Sequence, residues 1–391
     1  MFYVSKISPP LFLFALVNLL ISLLLKMFSE TPTLFFVILV FGFVGNTLLG
    51  AMYQIIPNSQ NRKLSFHQLS YAVFLGVLVS FVLFYLGRYG SGSLLLAVSY
   101  ILFFLHSLVN VKNWAPVTVK FLGFSAFYLA LASLFLALHF NLGLVPIQLA
   151  VHTLTVGSML SAVYGVELAW IPMLLMETLN VRKAQRLLYV KQASTLLILT
   201  SFLLMNYRLI ALSSLLELGV ALYFIYMLYR LVMQRRMPSP IPYVVKTFFI
   251  ALPFLPLGIV VGTFMSSHTS VLPVVYNIHI DLLVYGFTAF TIFGGMSHLF
   301  PRIMWNWKFA NRKGGNAPPI NELVDEKGFP RFMELSLIAF VLFLALDSLS
   351  SSLRWLSVFP YLFVIGNFFR ITFLHFLKKL KEVENVSGET A

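Results

Sequence analysis

Apolar residues run through this chain in long unbroken stretches, not at the three- to four-residue spacing of a helix that keeps one face in water. Twelve stretches of about 18 residues or more stand out. They cover roughly 10–27, 33–56, 66–88, 92–110, 116–140, 143–173, 186–206, 209–233, 243–265, 271–300, 331–350 and 353–377. At about 1.5 Å of rise per residue each is long enough to cross the hydrocarbon of a bilayer. The pattern predicts an all-α polytopic membrane protein with twelve transmembrane helices. The first stretch leads into the second without an A-x-A cleavage pattern, so it reads as a retained helix and not a removed signal peptide.

A second pattern lies on top of the first. Gly286, Gly294 and Pro301 in the tenth stretch have the same spacing as Gly42, Gly50 and Pro57 in the second, and as Gly157, Gly165 and Pro172 in the sixth. A skeleton recurring on every fourth stretch predicts three four-helix repeats, about 1–114, 115–240 and 241–391, around a pseudo-threefold axis along the membrane normal. The second, sixth and tenth helices would then run parallel and line the centre. Their glycines would let a neighbouring helix or a flat cofactor come close, and their prolines would stop each helix near its inner end.

Composition narrows the class. With 59% hydrophobic and 10% charged residues and a mean hydropathy of +0.89, a soluble globule is excluded. Basic residues should collect on the cytoplasmic side. With both termini cytoplasmic, Lys6, Arg62, Lys63, Lys112, Lys120, the group Arg182 to Lys191, the group Arg230 to Lys246, the loop residues Arg302 to Arg331 and the tail residues Arg370 to Lys381 all fall there. Only Lys26, Arg88, Arg208 and Arg354 fall outside. The net charge of +14 is thereby read as topology signal near anionic lipid and not as a nucleic-acid footprint. Trp305 to Arg331 is the one sizeable polar stretch and reads as a cytoplasmic loop. The absence of cysteine excludes disulfides, iron–sulfur clusters and thiolate-ligated metals. Any metal centre must rest on His, Asp, Glu, Met or Tyr.

Ionisable residues inside membrane spans are costly and mark candidate chemistry. His152 and His279 lie about eight or nine residues into the sixth and tenth stretches, roughly 12 to 14 Å below the outer surface. Neutral imidazole suits a buried iron or copper site because it adds no charge. His152 precedes its skeleton glycine by five residues and His279 by seven, so the two do not occupy equivalent helix faces. Glu217 sits at a similar depth on the eighth stretch, Asp281 two residues past His279, and Glu167 deeper, near the inner end of the sixth. These carboxyls are candidates for a proton route or for catalysis, or for neutral hydrogen bonds between helices. Arg354 and Arg208, on the outer side, are candidates for pairing haem propionates or for interface anchoring. His106, His139, His67, His268, His298 and His375 read as packing or interfacial residues.

At the second, sixth and tenth helices the sequence resembles the haem-copper oxidase subunit I superfamily, which includes cytochrome c oxidases and nitric oxide reductases and has twelve spans in three arcs. The run Gly294-Gly295-Met296-Ser297-His298-Leu299-Phe300-Pro301 is similar to the G-G-x-x-H-x-F-P ending of that family's tenth helix. Fifteen residues before Gly294 stands His279, where the family holds the proximal ligand of its high-spin haem. Two residues later, where the family has a low-spin haem ligand, stands Asp281, and Leu34, Phe35 and Val37 stand near the partner ligand's place in the second helix. The seventh segment lacks the family's paired copper-binding histidines, and Val156 stands where many oxidases have a cross-linked tyrosine. His152-Thr153-Leu154-Thr155-Val156-Gly157 also resembles the H-A-L-T-V-G motif of the NnrS haem- and copper-containing membrane proteins linked to nitric oxide.

The resemblance implies a reduced relative of oxidase subunit I in the cytoplasmic (inner) membrane. It would hold a single b-type haem with His279 as proximal ligand and His152 on the distal side, and bind or reduce a small gas, NO or O2. A copper or iron ion at His152 and His279 is a weaker implication. Oxidoreductase activity would require a cytochrome c-type or other electron-donor subunit, because the low-spin haem site is missing. Two alternatives stay open: a cofactor-free secondary transporter in which Glu217, Asp281 and Glu167 couple ion movement, and an accessory subunit of a respiratory oxidase complex.

Overall fold

The computed structural model describes residues 3–28, 32–236, 240–268, 273–309, 319–325, 327–349 and 354–388, and among them every regular element is helical. Among the described residues eleven helices are long and apolar enough to cross a membrane. They are α1 Ser8–Phe28, α2 Pro32–Ser59, α3 His67–Tyr85, α4 Tyr89–Asn110, α5 Val117–Leu142, α6 Ile147–Leu175, α8 Tyr207–Met233, α9 Tyr243–Ser267, α10 Pro273–Phe309, α11 Phe329–Leu349 and α12 Trp355–Glu382. The predicted stretch 186–206 forms α7, Val181–Leu203. Arg182, Lys183, Arg186 and Lys191 dilute its apolar character and set it apart from the eleven. The chain is thus an all-helical, multi-pass membrane protein. Part of the loop Trp305 to Arg331, at 310–318 and 326, lies outside the described residues.

Helix ends follow local chemistry. Asn180 and Asn206 cap α7 and α8, their side chains accepting from Lys183 N and Leu209 N. Gly143, at φ 63°, ends α5 in the left-handed region that favours glycine. Before α1 the chain is tied to the end of α2, where Ser5 N donates to Gln54 Oε1 and Tyr3 N to Asn58 Oδ1.

The helices form two compact units, one of residues 3–239 with 255–272, the other of 240–254 with 273–391. In the first unit α1 packs on α2, α5 on α4 and α6, and α7 on α8; in the second, the first half of α9 packs on α10, and α11 on α12. The three glycine helices are the most enclosed: 72–78% of the apolar stretch of α2, α6 and α10 is buried, against 33–61% in the other eight.

The skeleton glycines are seats for neighbouring helices. A Cβ on Gly42 would lie 2.6 Å from Asn18 of α1, one on Gly157 2.7 Å from Tyr128 of α5, and one on Gly165 2.8 Å from Phe121. On α10, Gly286 meets Phe340 of α11 at 2.8 Å, and Gly294 meets Thr247 of α9 at 3.0 Å. Gly295 has open space beside it. Gly157→Ala is therefore expected to destabilise by about 1–3 kcal/mol, as overpacking in a close helix contact does. Gly295→Ala should be neutral or slightly stabilising. Thermal midpoints of the two variants in one detergent check this; equal midpoints would show that the Gly157 seat yields without cost.

The prolines correct an expectation. Pro57 and Pro172 do stand near the ends of their helices, but α10 continues from Pro301 to Phe309. A proline cannot bond the carbonyl four residues back. In α10 that carbonyl belongs to Ser297, and the Tyr243 hydroxyl donates to it at 3.3 Å, so the helix has a substitute partner and no reason to stop.

Candidate functional site

The π-helical turns give the glycine skeletons their second meaning. α2, α6 and α10 each contain one, at Val37–Gly45, Thr153–Met159 and Asp281–Thr288, and each turn encloses the first glycine of its skeleton, Gly42, Gly157 or Gly286. A π-helical turn shifts the backbone ladder by one residue and frees carbonyl groups, which is why such turns gather at functional sites. Side-chain donors bond to carbonyls of these turns. Asn46 Nδ2 donates to Gly42 O at 2.8 Å, Thr47 Oγ1 to Phe43 O at 2.8 Å, and Thr288 Oγ1 to Leu283 O at 2.6 Å.

A further bond, from a neighbouring helix, recurs at a fixed position, the carbonyl just before the skeleton glycine. Phe41 O accepts from the Tyr100 hydroxyl of α4 at 3.3 Å, and Tyr285 O from the Tyr361 hydroxyl of α12 at 2.8 Å. In the middle copy the acceptor is Val156 O, and the donor is the ammonium of Lys191 from α7 at 3.1 Å. Where two copies use a neutral tyrosine, the third uses a charge.

Lys191 has 0% side-chain exposure. It stands midway along α7, on the order of 15 Å from either end, too deep to reach the interface. Its ammonium donates to Val156 O and to Thr195 Oγ1 at 2.6 Å, and forms an ion pair with Glu217 Oε1 of α8 at 3.0 Å. Glu217, 2% exposed, also accepts from Ser194 Oγ at 2.6 Å. A charge pair taken out of water holds only when its remaining donors and acceptors are met, and here they are supplied by α6, α7 and α8 together. This corrects the assignment of Lys191 to the cytoplasmic surface charges. The signal was present in sequence: in Lys191-Gln192-Ala193-Ser194-Thr195 the hydroxyls fall three and four residues from the lysine, on its own helix face.

The polar seam extends along α6. Gln192 Nε2 reaches Ser161 Oγ at 3.4 Å. Tyr164, stacked on Phe224 of α8 with ring centres 3.9 Å apart, and Glu167 are both buried, and among the described residues neither the Tyr164 hydroxyl nor either Glu167 carboxyl oxygen has a hydrogen-bond partner.

The predicted site residues separate by unit. His152 and Glu217 belong to the first, His279 and Asp281 to the second. His152 is half-buried at the leading edge of the α6 π-helical turn, its ring stacked on Phe202 at 4.0 Å and its Nδ1 2.8 Å from Gln148 O. Donation from Nδ1 to that carbonyl makes Nε2 the lone-pair nitrogen, the orientation seen for metal-ligating histidines. His279 is half-buried on the turn before the α10 π-helical turn, and Asp281, 1% exposed, is that turn's first residue. Counted from the skeleton glycine, Asp281 occupies the place of His152, five residues before it. Arg354 begins helix Arg354–Phe369 with its side chain outside the described residues, and Arg208 is exposed.

Five of the six remaining histidines have structural partners: His106 with Ser65 O at 2.6 Å, His139 with Val145 O at 2.8 Å, His268 with Phe264 O at 2.8 Å, His298 with Arg302 at 2.8 Å, and His375 with Glu322 O at 3.2 Å. Among the described residues no three His, Asp or Glu side chains form a ready metal cluster.

No family model matches the chain. It is 56% identical over 370 residues to an uncharacterized protein of Aquifex aeolicus (strain VF5), a match that covers 95% of this chain and 97% of that one.

Proposed function

The chain belongs to one family with that uncharacterized Aquifex aeolicus protein, and we propose that it is a haem-binding protein of the cytoplasmic membrane, a reduced relative of oxidase subunit I with twelve spans in three repeats. The observation that carries the reading is the threefold recurrence of one device, a π-helical turn around a skeleton glycine with the preceding carbonyl caught by a neighbouring helix. Two of the three copies place an imidazole at or just before the turn. His279 would hold the iron of one b-type haem, the role the sequence resemblance implies, and His152, its tautomer set by Gln148 O, presents its own Nε2 as a candidate metal ligand. Bound there, a haem would supply a site for a diatomic gas such as NO or O2. The protein's own part is to orient each imidazole and to keep the helices around it closely packed; oxidoreductase activity would draw electrons from a partner cytochrome.

The test is the visible spectrum of the purified protein, dithionite-reduced minus oxidised, after expression with ample haem. A b-type band supports the reading, and its absence overturns it.

One observation favours a second reading, the cofactor-free transporter. The fully enclosed Lys191–Glu217 pair is the kind of intramembrane charge that couples ion movement to a conformational change. A colourless protein whose transport activity disappears in Glu217→Gln would put this reading first.

A further inference from the structure

We propose that the cleft between the start of α11 and the middle of α12 binds the headgroup of an anionic phospholipid. The cleft has a volume of about 550 Å³. Lys327, Arg331 and Leu335 form one wall, and Phe363, Asn367 and Arg370 the other. Three cationic side chains line it, with no carboxylate among its described lining residues, which suits an anion.

The amide of Asn367 sharpens the assignment. Its Oδ1 accepts two bonds from the Arg370 guanidinium, from Nε and Nη2, each at 3.3 Å. Asn367 is 8% exposed, and its Nδ2 has no hydrogen-bond partner among the described residues. The residue is therefore oriented with its acceptor used and a donor left over, beside two guanidinium groups whose planar forks match phosphate oxygens. A buried donor of this kind costs stability unless a ligand meets it.

The choice of lipid over free phosphate rests on what adjoins the cations. Leu335 and Phe363 are 37% and 49% exposed, and beyond them Ile338 and Phe359 continue the outward apolar surface of the same two helices. A soluble anion would gain nothing from that surface, whereas acyl chains would lie along it with the phosphate at the basic end. Basic clefts between membrane helices are where anionic headgroups bind.

The test is native mass spectrometry of the full-length protein titrated with phosphatidylglycerol or phosphatidylcholine, for wild type, Arg331→Gln/Arg370→Gln, and Lys378→Gln as a basic residue of α12 outside the cleft. The expected result is preferential retention of phosphatidylglycerol, weakened roughly thirtyfold in the double variant at about tenfold per 1.4 kcal/mol. Lys378→Gln should bind as wild type. Equal retention of the two lipids, or unchanged phosphatidylglycerol binding in the double variant, overturns the proposal. Displacement of phosphatidylglycerol by millimolar inorganic phosphate reassigns the cleft to a soluble phosphate and equally overturns it. Arg331 and Arg370 are both exposed, but Arg370 also holds Asn367 Oδ1, so the thermal midpoint of the double variant is measured beside its binding, and Arg331→Gln alone, which leaves that contact in place, should also weaken phosphatidylglycerol retention.

Discussion

Lys191→Met is expected to lower stability by roughly 3–5 kcal/mol, the cost of leaving one member of a buried ion pair without its partner. Two groups lose their counterpart at once: the Glu217 carboxylate keeps only Ser194, and Val156 O loses the donor at the π-helical turn of α6. Glu217→Leu should cost a similar amount, because it strands the ammonium. The double variant Lys191→Met/Glu217→Leu removes both charges and fills the space with apolar atoms, so it should recover most of the loss. Unfolding midpoints of the four proteins in one detergent close the cycle. If the single variants lose less than about 1 kcal/mol, the pair behaves like an exposed surface bridge and the enclosed geometry is wrong. A double variant that is stable but inactive would separate a functional role from a structural one, which the single variants cannot do.

His279→Ala is expected to abolish the haem spectrum, while His152→Ala should retain haem and change its ligand chemistry. The difference follows from the roles proposed. Loss of the proximal imidazole removes the bond that holds the iron, whereas retention of the haem does not rest on His152. The reduced spectrum with and without carbon monoxide distinguishes them: no band in His279→Ala, and a carbon monoxide shift in His152→Ala at least as large as in wild type. Haem bound equally in His279→Ala would sink the ligand assignment while leaving open a haem held elsewhere. Phe202→Ala is the companion variant, since the ring stacked on His152 at 4.0 Å fixes its tilt; it should alter the spectrum without removing it.

The candidate residues were legible in part. His152, His279, Glu217 and Asp281 were visible because a charge or imidazole inside an apolar run has a high cost and so announces itself. Lys191 was hidden by the same rule read too simply. It sits among Arg182, Lys183 and Arg186, which look like inner-face charges, and only the pairing of α7 with α8 shows that it lies across from Glu217. Tyr100 and Tyr361 gave no signal, because a tyrosine in a membrane helix is ordinarily an interfacial or packing residue. Their role appears only when the carbonyls freed at Phe41 and Tyr285 are located.

The sequence by itself determined the helical membrane class and the positions of the long helices, because both depend on local quantities: hydropathy over a window, helical rise, caps and charges at the ends. It also determined the spacing of glycines and prolines on α2, α6 and α10. Tertiary structure decided what those residues do. Whether a glycine seats a neighbouring helix or faces open space, as Gly294 and Gly295 do side by side, depends on which helix lies opposite. Whether a proline ends a helix depends on a distant donor, Tyr243 for Ser297 O beside Pro301. Where the ladder shifts into a π-helical turn, the freed carbonyl needs a partner from another helix, and the choice of tyrosine or lysine there turned one copy of a repeated device into a buried charge pair. Those partners are separated from the π-helical turns by 35 to 76 residues, so no local pattern could name them.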